Sequence, residues 1–502
     1  MVMHSFPTLN NDNHTIALQD GDQSWTYAQV NARIDNFALG LLKGTGDLEE
    51  ERIAFFMPAS LDYVTTMHGI CRAGGIAVPL NVASAVSELE HSLSCAGVTR
   101  MIANGHYRDA LIELCASLNI ELVSCKEVMS IEENLDGKGL PDVNPSRRAM
   151  ILFTSGTTNK PKGVVSTHRT IAAQVTTLID AWRWTSDDVI PLFLPLHHIH
   201  GIINILSCGL WAGACVDLFA GFDIPAITQK IKAGHYNVFM AVPTIYVKLI
   251  QHFDTLSAQG SDEEVKAICD GFRVMRLNIS GSAACPVKLF NQWRELTGQV
   301  LLERYGMTEI GMGISNPYEG ERRAGHVGQA LPGVEVALFD ENNYQITTDA
   351  TPGEIRIKGD NVFLEYWDNE KATSESFHDG WFCTGDVAVS DDGYYRIMGR
   401  SSIDIIKSGG YKLSALEIEG VLLTHPDIQE VAVIGVEDET WGEAVAAFVV
   451  LKEGKSFDYE ALKSWCKGKM SSYKIPKLLK TLDALPRNAM GKVTKPDLKK
   501  QL

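Results

Sequence analysis

Residues 151–165 read Ile151-Leu152-Phe153-Thr154-Ser155-Gly156-Thr157-Thr158-Asn159-Lys160-Pro161-Lys162-Gly163-Val164-Val165. The apolar run Ala149–Phe153 predicts a buried strand. A small, hydroxyl-rich loop with two lysines follows, and then a second apolar pair. Such a loop can turn backbone N–H groups, hydroxyls and ammonium groups toward one anionic ligand, because glycine allows close approach and successive N–H groups form an anion nest. A plain hairpin turn with incidental hydroxyls is the alternative. The Walker pattern fails, since Gly163 is followed by Val164; no G-x-G-x-x-G and no G-x-S-x-G is present here, so Ser155 is a poor acyl-enzyme serine.

Outward from this loop, residues 14–130 alternate helix and strand patterns. Helices are expected at Ala28–Lys43 and Leu61–Ala73, with strands at Arg52–Met57 and Ile76–Leu80. That rhythm implies βαβ units and a largely parallel sheet. It resumes after the loop with a helix at Thr170–Ala181, a strand at Val189–Leu194 and an apolar helix at Ile202–Trp211. Near residue 330 the pattern changes to half-buried strands, Leu331–Phe339 and Gly353–Lys358, punctuated by Pro-Gly pairs. The expected fold is therefore α/β: a large N-terminal domain, 1–399, of βαβ-layered sheets plus a β-rich subdomain. A small, mobile α+β domain, 400–502, follows it.

Bulk properties narrow the function. The 502 residues exceed one compact core; 45% are apolar and 21% charged, and the net charge is −17. An acidic surface argues against nucleic acid or an anionic membrane as partner. The ten cysteines contain no C-x-x-C pair, which suits reduced thiols in the cytoplasm. The N-terminal text resembles neither a signal nor a transit peptide, no apolar run is long enough to span a membrane, and the terminal Lys500-Gln501-Leu502 is discounted as an address.

Further motifs carry chemistry. In Leu301–Gly313, Glu309 is a hard oxygen ligand suited to Mg2+, Thr308 can donate to a phosphate oxygen and Tyr305 offers a flat face for a purine. Gly281-Ser282-Ala283 ends a strand in small residues, against which a flat ring can lie. Asp386, on a Gly turn, can accept two ribose hydroxyls, and Arg400 can hold the same ribose; a capping Asp and a surface Arg are the alternatives. His197, His198 and His200 invite a zinc reading, but adjacent histidines are poor ligand geometry and no Cys or acid sits beside them; a pocket wall or turn fits better. Lys492, on the turn of Leu485–Val493, could project into a cleft; a solvated lysine is the alternative.

Taken in order, TSGTTNKPKG, HHIHG, SGSAA, YGMTE, TGD with its following GR, and PRNAMGK resemble the acyl-adenylate-forming enzymes: acyl-CoA synthetases, luciferase and peptide-synthetase adenylation domains. Within them, LLERYGMTEIGM, GRSSIDIIKSGGYKLSALEIE and LPRNAMGK are most similar to malonyl-CoA synthetases. The resemblance implies an ATP-dependent acid–CoA ligase. Malonate, ATP and CoA would yield malonyl-CoA, AMP and pyrophosphate through an acyl-adenylate, with Mg2+. A ligase for methylmalonate or another short acid, a carrier-loading module and a non-catalytic nucleotide binder are the alternatives. A monomer or homodimer is expected.

Implied roles follow from the same resemblance. Thr154, Ser155, Gly156, Thr157, Thr158 and Lys162 would hold the β and γ phosphates. Thr308 would touch the α-phosphate and Glu309 the metal. Gly281, Ser282, Ala283, Tyr305 and Gly306 would flank adenine, and Asp386 and Arg400 the ribose. Lys492 would bridge the carboxylate and the α-phosphate. After rotation of the small domain, Lys407, Gly409 and Gly410 would line the CoA tunnel. The hinge falls among Ser401, Ser402 and Ile403, since the Arg-to-Gly-Gly spacing is one residue longer than in luciferase-like members. A second carboxylate calls for a cation, and arginine can grip it through two hydrogen bonds. The expected acid pocket is His198, His200, Arg276, Met307 and Arg322, with a salt-bridged structural role as the alternative for each arginine.

Overall fold

The computed structural model describes residues 9, 14–130, 139–154, 161–401, 403–408, 411–438, 441–487 and 493–501. The chain forms two compact units. The first comprises 1–324, 329–335 and 358–380; the second comprises 325–328, 336–357 and 381–502. The β-rich segment expected inside the large domain thus clusters with the C-terminal residues.

The first unit holds three sheets. Its seven-stranded sheet runs Glu365–Tyr366, Lys162–Thr167, Arg148–Thr154, Ile76–Pro79, Arg52–Phe56, Arg100–Ala103, Glu121–Val123. The last five strands are mutually parallel, and Lys162–Thr167 runs antiparallel to both of its neighbours. Parallel strands are covered on both faces, and Ala54, Ile76, Val78, Met101 and Ile151 are all fully buried. Helix Tyr27–Leu42 packs chiefly against helix Leu61–Arg72. It begins with a reciprocal cap, in which Thr26 N–H donates to Gln29 at 2.8 Å and Gln29 N–H to Thr26 Oγ1 at 3.3 Å. It buries Tyr27, Val30, Ile34 and Phe37 completely, each worth roughly 1.5–3 kcal/mol.

A second sheet, Val238–Ala241, Leu277–Ser280, Leu302–Met307, Gly311–Ser315, Gln329–Ala330, carries two of the motifs at its strand ends. A third is built from Gln23–Thr26, Ile16–Asp20, Cys215–Leu218 and Val189–Leu192. Helix boundaries match the sequence expectations closely, while the strand expected at Leu331–Phe339 is confined to Glu335–Phe339 after the Pro332-Gly333 turn. The apolar helix starts earlier and is wound as a π-helix over His200–Ser207 before turning α over Cys208–Ala212. All eight π-helical residues are buried, so no polar face betrays the wider turn.

In the second unit an antiparallel sheet includes Gly353–Lys358, Trp381–Asp391 and Tyr394–Arg400. A further sheet of Tyr411–Ser414, Ile405–Ser408, Gly442–Leu451, Ile428–Asp438 and Leu478–Thr481 has helix Ala415–Leu422 against it, with Ile418, Leu422, Val433 and Val449 in its core.

Candidate active site

Strands Arg148–Thr154 and Lys162–Thr167 pair antiparallel with Thr154 opposite Lys162, and Thr154 donates its hydroxyl to the Lys162 carbonyl at 3.4 Å. Ser155, Gly156, Thr157 and Thr158 lie outside the described residues. The surroundings of this strand pair are what give it chemistry. Strand Glu365–Tyr366 pairs onto Lys162–Thr167 and sets the Tyr366 ring 3.9 Å from the Lys162 ammonium. The same ring's hydroxyl donates to Glu309 Oε1 at 2.8 Å. Glu309 is only 5% exposed, and Phe363 N–H donates to its backbone carbonyl at 2.7 Å.

Thr308 and Glu309 form the tip of the hairpin between Leu302–Met307 and Gly311–Ser315, where Ile310 N–H returns to Met307 at 3.0 Å. Gly306 sits at the register shift of that hairpin; a Cβ there would meet the Gly311 carbonyl oxygen at 2.0 Å, so no side chain fits. Tyr305, Met307 and Thr308 are half-buried on the same strand end. Ser282 and Ala283 are exposed beyond strand Leu277–Ser280, and Ser282 holds a φ of +68°, a strained backbone of the kind found at binding sites.

Behind Ser282 stand His200, expected in the acid pocket, and Arg304, which the sequence did not single out. Ser282 Oγ is 3.2 Å from His200 Nδ1, and Arg304 Nη2 donates to the same oxygen at 3.5 Å. Gly281 leaves room for the guanidinium, since a Cβ there would stand 2.6 Å from Arg304 Cζ. Arg304 is 3% exposed and His200 4%. Among the described residues, Arg304 Nε and His200 Nε2 find no hydrogen-bond partner. Burial pushes the Arg304 guanidinium down to about 9, still charged at neutral pH. His200 is driven well below its usual range by burial, then by Arg304 and His198, so it stays neutral. A buried cation with open donor positions calls for an anion. The signal was an arginine directly before Tyr305, in a strand that opens on Leu302.

The two arginines expected in the acid pocket are reassigned. Arg276 grips both oxygens of the fully buried Asp188 at 2.6 Å each and donates to the Trp182 carbonyl at 2.9 Å. Arg322 donates to the carbonyls of Pro317, Val300 and Tyr318 at 3.2, 2.7 and 2.8 Å. Both are struts, with their donors directed to the framework. His198 is half-buried with its ring 4.1 Å from that of His197.

In the second unit, Asp386 and Arg400 face each other on paired strands, with Arg400 Nε 3.1 Å from Asp386 Oδ1. Thr384 Oγ1 accepts from Asp386 N–H at 3.1 Å and donates to the Ile355 carbonyl at 2.7 Å, which fixes the turn. Lys407 is exposed on strand Ile405–Ser408 with its ammonium 3.3 Å from Glu341. Gly409, Gly410, Lys492 and the hinge candidate Ser402 lie outside the described residues.

Comparison with known proteins places this geometry. A family model described as AMP-binding enzyme matches residues 8–367, and one described as its C-terminal domain matches 417–492. A mitochondrial malonate–CoA ligase of Mus musculus is 43% identical over 91% of this chain and 82% of its own. That of Homo sapiens is 40% identical over 96% and 88%. The crystal structure of ATP-bound MatB from Rhodopseudomonas palustris superposes with a TM-score of 0.88 at 32% identity, covering 98% and 96% of the two chains.

Proposed function

Because the chain belongs to the AMP-binding enzyme family, we propose that it ligates malonate to CoA at the expense of ATP. A malonate oxygen attacks the α-phosphorus of ATP, and the bond to pyrophosphate breaks. The CoA thiol then attacks the acyl carbon of the adenylate, and AMP leaves. The relatives named malonate–CoA ligase support the substrate.

The observation that carries this choice is the buried Arg304 with open donor positions beside His200 and Ser282. An apolar acyl chain would leave that cation uncompensated; a second carboxylate compensates it with a charge-assisted bond. The exposed Ser282 gives the anion its approach, and the neutral His200 can offer an N–H.

For the phosphates, Lys162 and the Thr154–Thr158 loop supply cations and donors where charge develops. Mg2+ fits Glu309. Mg2+ is commonly held by one or two carboxylates plus substrate phosphates, and no cluster of three metal-ligating side chains exists among the described residues. Bound there, it would neutralise phosphate charge. Tyr366 orients Glu309 and restrains Lys162. Asp386 and Arg400 would take the ribose, Lys492 the bridge between carboxylate and α-phosphate, and Lys407 with Gly409-Gly410 the thiol path.

The test is AMP release with ATP and Mg2+ against malonate, methylmalonate, acetate and octanoate, with and without CoA. Malonate should be preferred over the monocarboxylic acids. Equal rates for acetate, octanoate and malonate would sink the substrate assignment, and no AMP with any acid the activity itself.

A further inference from the structure

A buried charge cluster in the second unit lies outside the site described above. The Lys495 ammonium stands 2.6 Å from Asp404 Oδ1 and 2.7 Å from Glu419 Oε1, with the three side chains only 11–15% exposed. Glu419 Oε1 also accepts from Val433 N–H at 2.7 Å. Burial raises the Glu419 carboxyl, and Lys495 is raised in spite of burial by the two carboxylates. Replacing such a cluster by apolar side chains often costs a fold little or nothing, so its position in the chain is the informative feature.

Lys495 stands three residues after Lys492. Arg487 and Val493 bridge, and Thr494 N–H donates to the Pro486 carbonyl at 2.9 Å. The chain on either side of Lys492, Pro486-Arg487 and Val493-Thr494, is therefore held together. Arg487 pairs one side with Glu430 on strand Ile428–Asp438. Lys495 pairs the other with Asp404 and Glu419.

Asp404 looks both ways. Its Oδ1 holds Lys495, while its Oδ2 accepts from Arg400 N–H at 3.0 Å and its own N–H donates to the Arg400 carbonyl at 2.8 Å. Arg400 and Asp404 bracket the hinge candidates Ser401, Ser402 and Ile403. Among the described contacts that flank Lys492, the Asp404 pair leads to this segment.

We propose that Lys495 is a positioning residue for adenylate formation: through Asp404 it fastens the chain beside Lys492 to the Arg400–Asp404 hinge segment, so the setting of that segment fixes where Lys492 stands. This rests on the reading of Lys492 as the adenylation lysine. An error of one ångström in placing a reacting group costs about 100-fold in rate, and a segment tethered on one side alone has that freedom.

The experiment follows both half-reactions in the full-length enzyme. The first is malonate-dependent exchange of pyrophosphate into ATP. The second is AMP release on adding CoA to adenylate already accumulated on the enzyme. Lys495→Met should lower the exchange kcat about 100-fold while KM for ATP and malonate and the CoA step stay within about threefold. Lys495→Arg should retain most of the rate. If Lys495→Met does not fold because two carboxylates are left together, the paired change Lys495→Met with Glu419→Gln removes one of those charges and is judged by the same split. An unchanged exchange rate, a loss carried in KM, or equal loss in both half-reactions overturns the proposal. Lys492→Ala is run alongside. Unchanged exchange there overturns the reading of Lys492 and the proposal with it. A loss there with an unchanged Lys495→Met overturns the proposal alone.

Discussion

Tyr366 and Glu309, 57 residues apart in the chain, are joined by a 2.8 Å hydrogen bond, and the face of the same tyrosine ring lies 3.9 Å from the Lys162 ammonium. One side chain thus touches the acid assigned to the metal and the cation assigned to the phosphates. It is placed by two residues of strand added to the edge of the seven-stranded sheet.

Tyr366→Phe should keep the ring under Lys162 and lose the bond to Glu309. A hydrogen bond to a charged group is worth roughly 1.5–3 kcal/mol, so kcat for pyrophosphate exchange should fall about 10- to 100-fold, with a higher Mg2+ requirement. Tyr366→Leu should lose further rate by removing the ring as well. A Phe variant with wild-type rate and Mg2+ dependence would show that Glu309 needs no orienting partner.

Arg304 and Arg276 make a paired test. Arg304→Met should raise KM for malonate about 100-fold, since an unpaired buried charge partner costs a few kcal/mol, while the slow turnover of acetate is kept or improved. Malonate should stabilise the wild type against heat and lose that effect in the variant. Arg276→Met should behave oppositely, keeping selectivity but losing about 3–5 kcal/mol of stability, because Asp188 is left buried and unpaired. Urea denaturation and the acid panel read both; a loss of malonate selectivity in Arg276→Met alone would reverse the assignment.

These arginines also show what was legible in the sequence. The Ala149–Phe153 strand, the helix after Trp25 and the punctuated strands near residue 353 follow from periodicity and turn residues, which are local. The order of motifs identified the nucleotide chemistry. A partner is not local. Asp188, which occupies Arg276, lies 88 residues away, and Arg322 is bound by carbonyls that any residue could supply. Arg304 was hidden for the converse reason: among the described residues its Nε finds no partner, and an open donor position in space leaves no mark on the chain. Tyr366 reads in sequence as one aromatic among Leu364-Glu365-Tyr366-Trp367, and strand pairing is what brings it to Glu309.

Acid should weaken the fold through its buried histidines. His68 is pushed down to about 3, mainly by burial and then by Arg72; His197 is pushed to about 3 by burial and by His198. For a base whose folded value is depressed, the unfolded chain takes up the proton first. Stability is therefore full above pH 6.5 and falls as pH drops from there toward 3. Between pH 6.5 and 5, His68 alone should remove roughly 2 kcal/mol. Urea unfolding at pH 7.5, 6 and 5 measures the slope, and His68→Gln should flatten it. A slope that is the same in His68→Gln would mean that His68 is protonated alike in both states.

The ribose assignment can be tested on the ligand as well as on the protein. Asp386 is held on its strand by the Thr384 turn and is close to Arg400 Nε, so its carboxylate is preorganised to accept hydroxyl hydrogens. Asp386→Asn keeps the shape but halves the acceptor capacity and removes the charge. It should raise KM for ATP about tenfold or more, since hydrogen bonds to a charged acceptor carry roughly 1.5–3 kcal/mol. Deoxy-ATP lacking a ribose hydroxyl should impose a similar penalty on the wild-type enzyme. The two losses should not add: if the carboxylate acts on that hydroxyl, the variant should treat ATP and deoxy-ATP almost alike, leaving a coupling energy in the double cycle. Full additivity would place the ribose elsewhere and leave Asp386 as a support for Arg400.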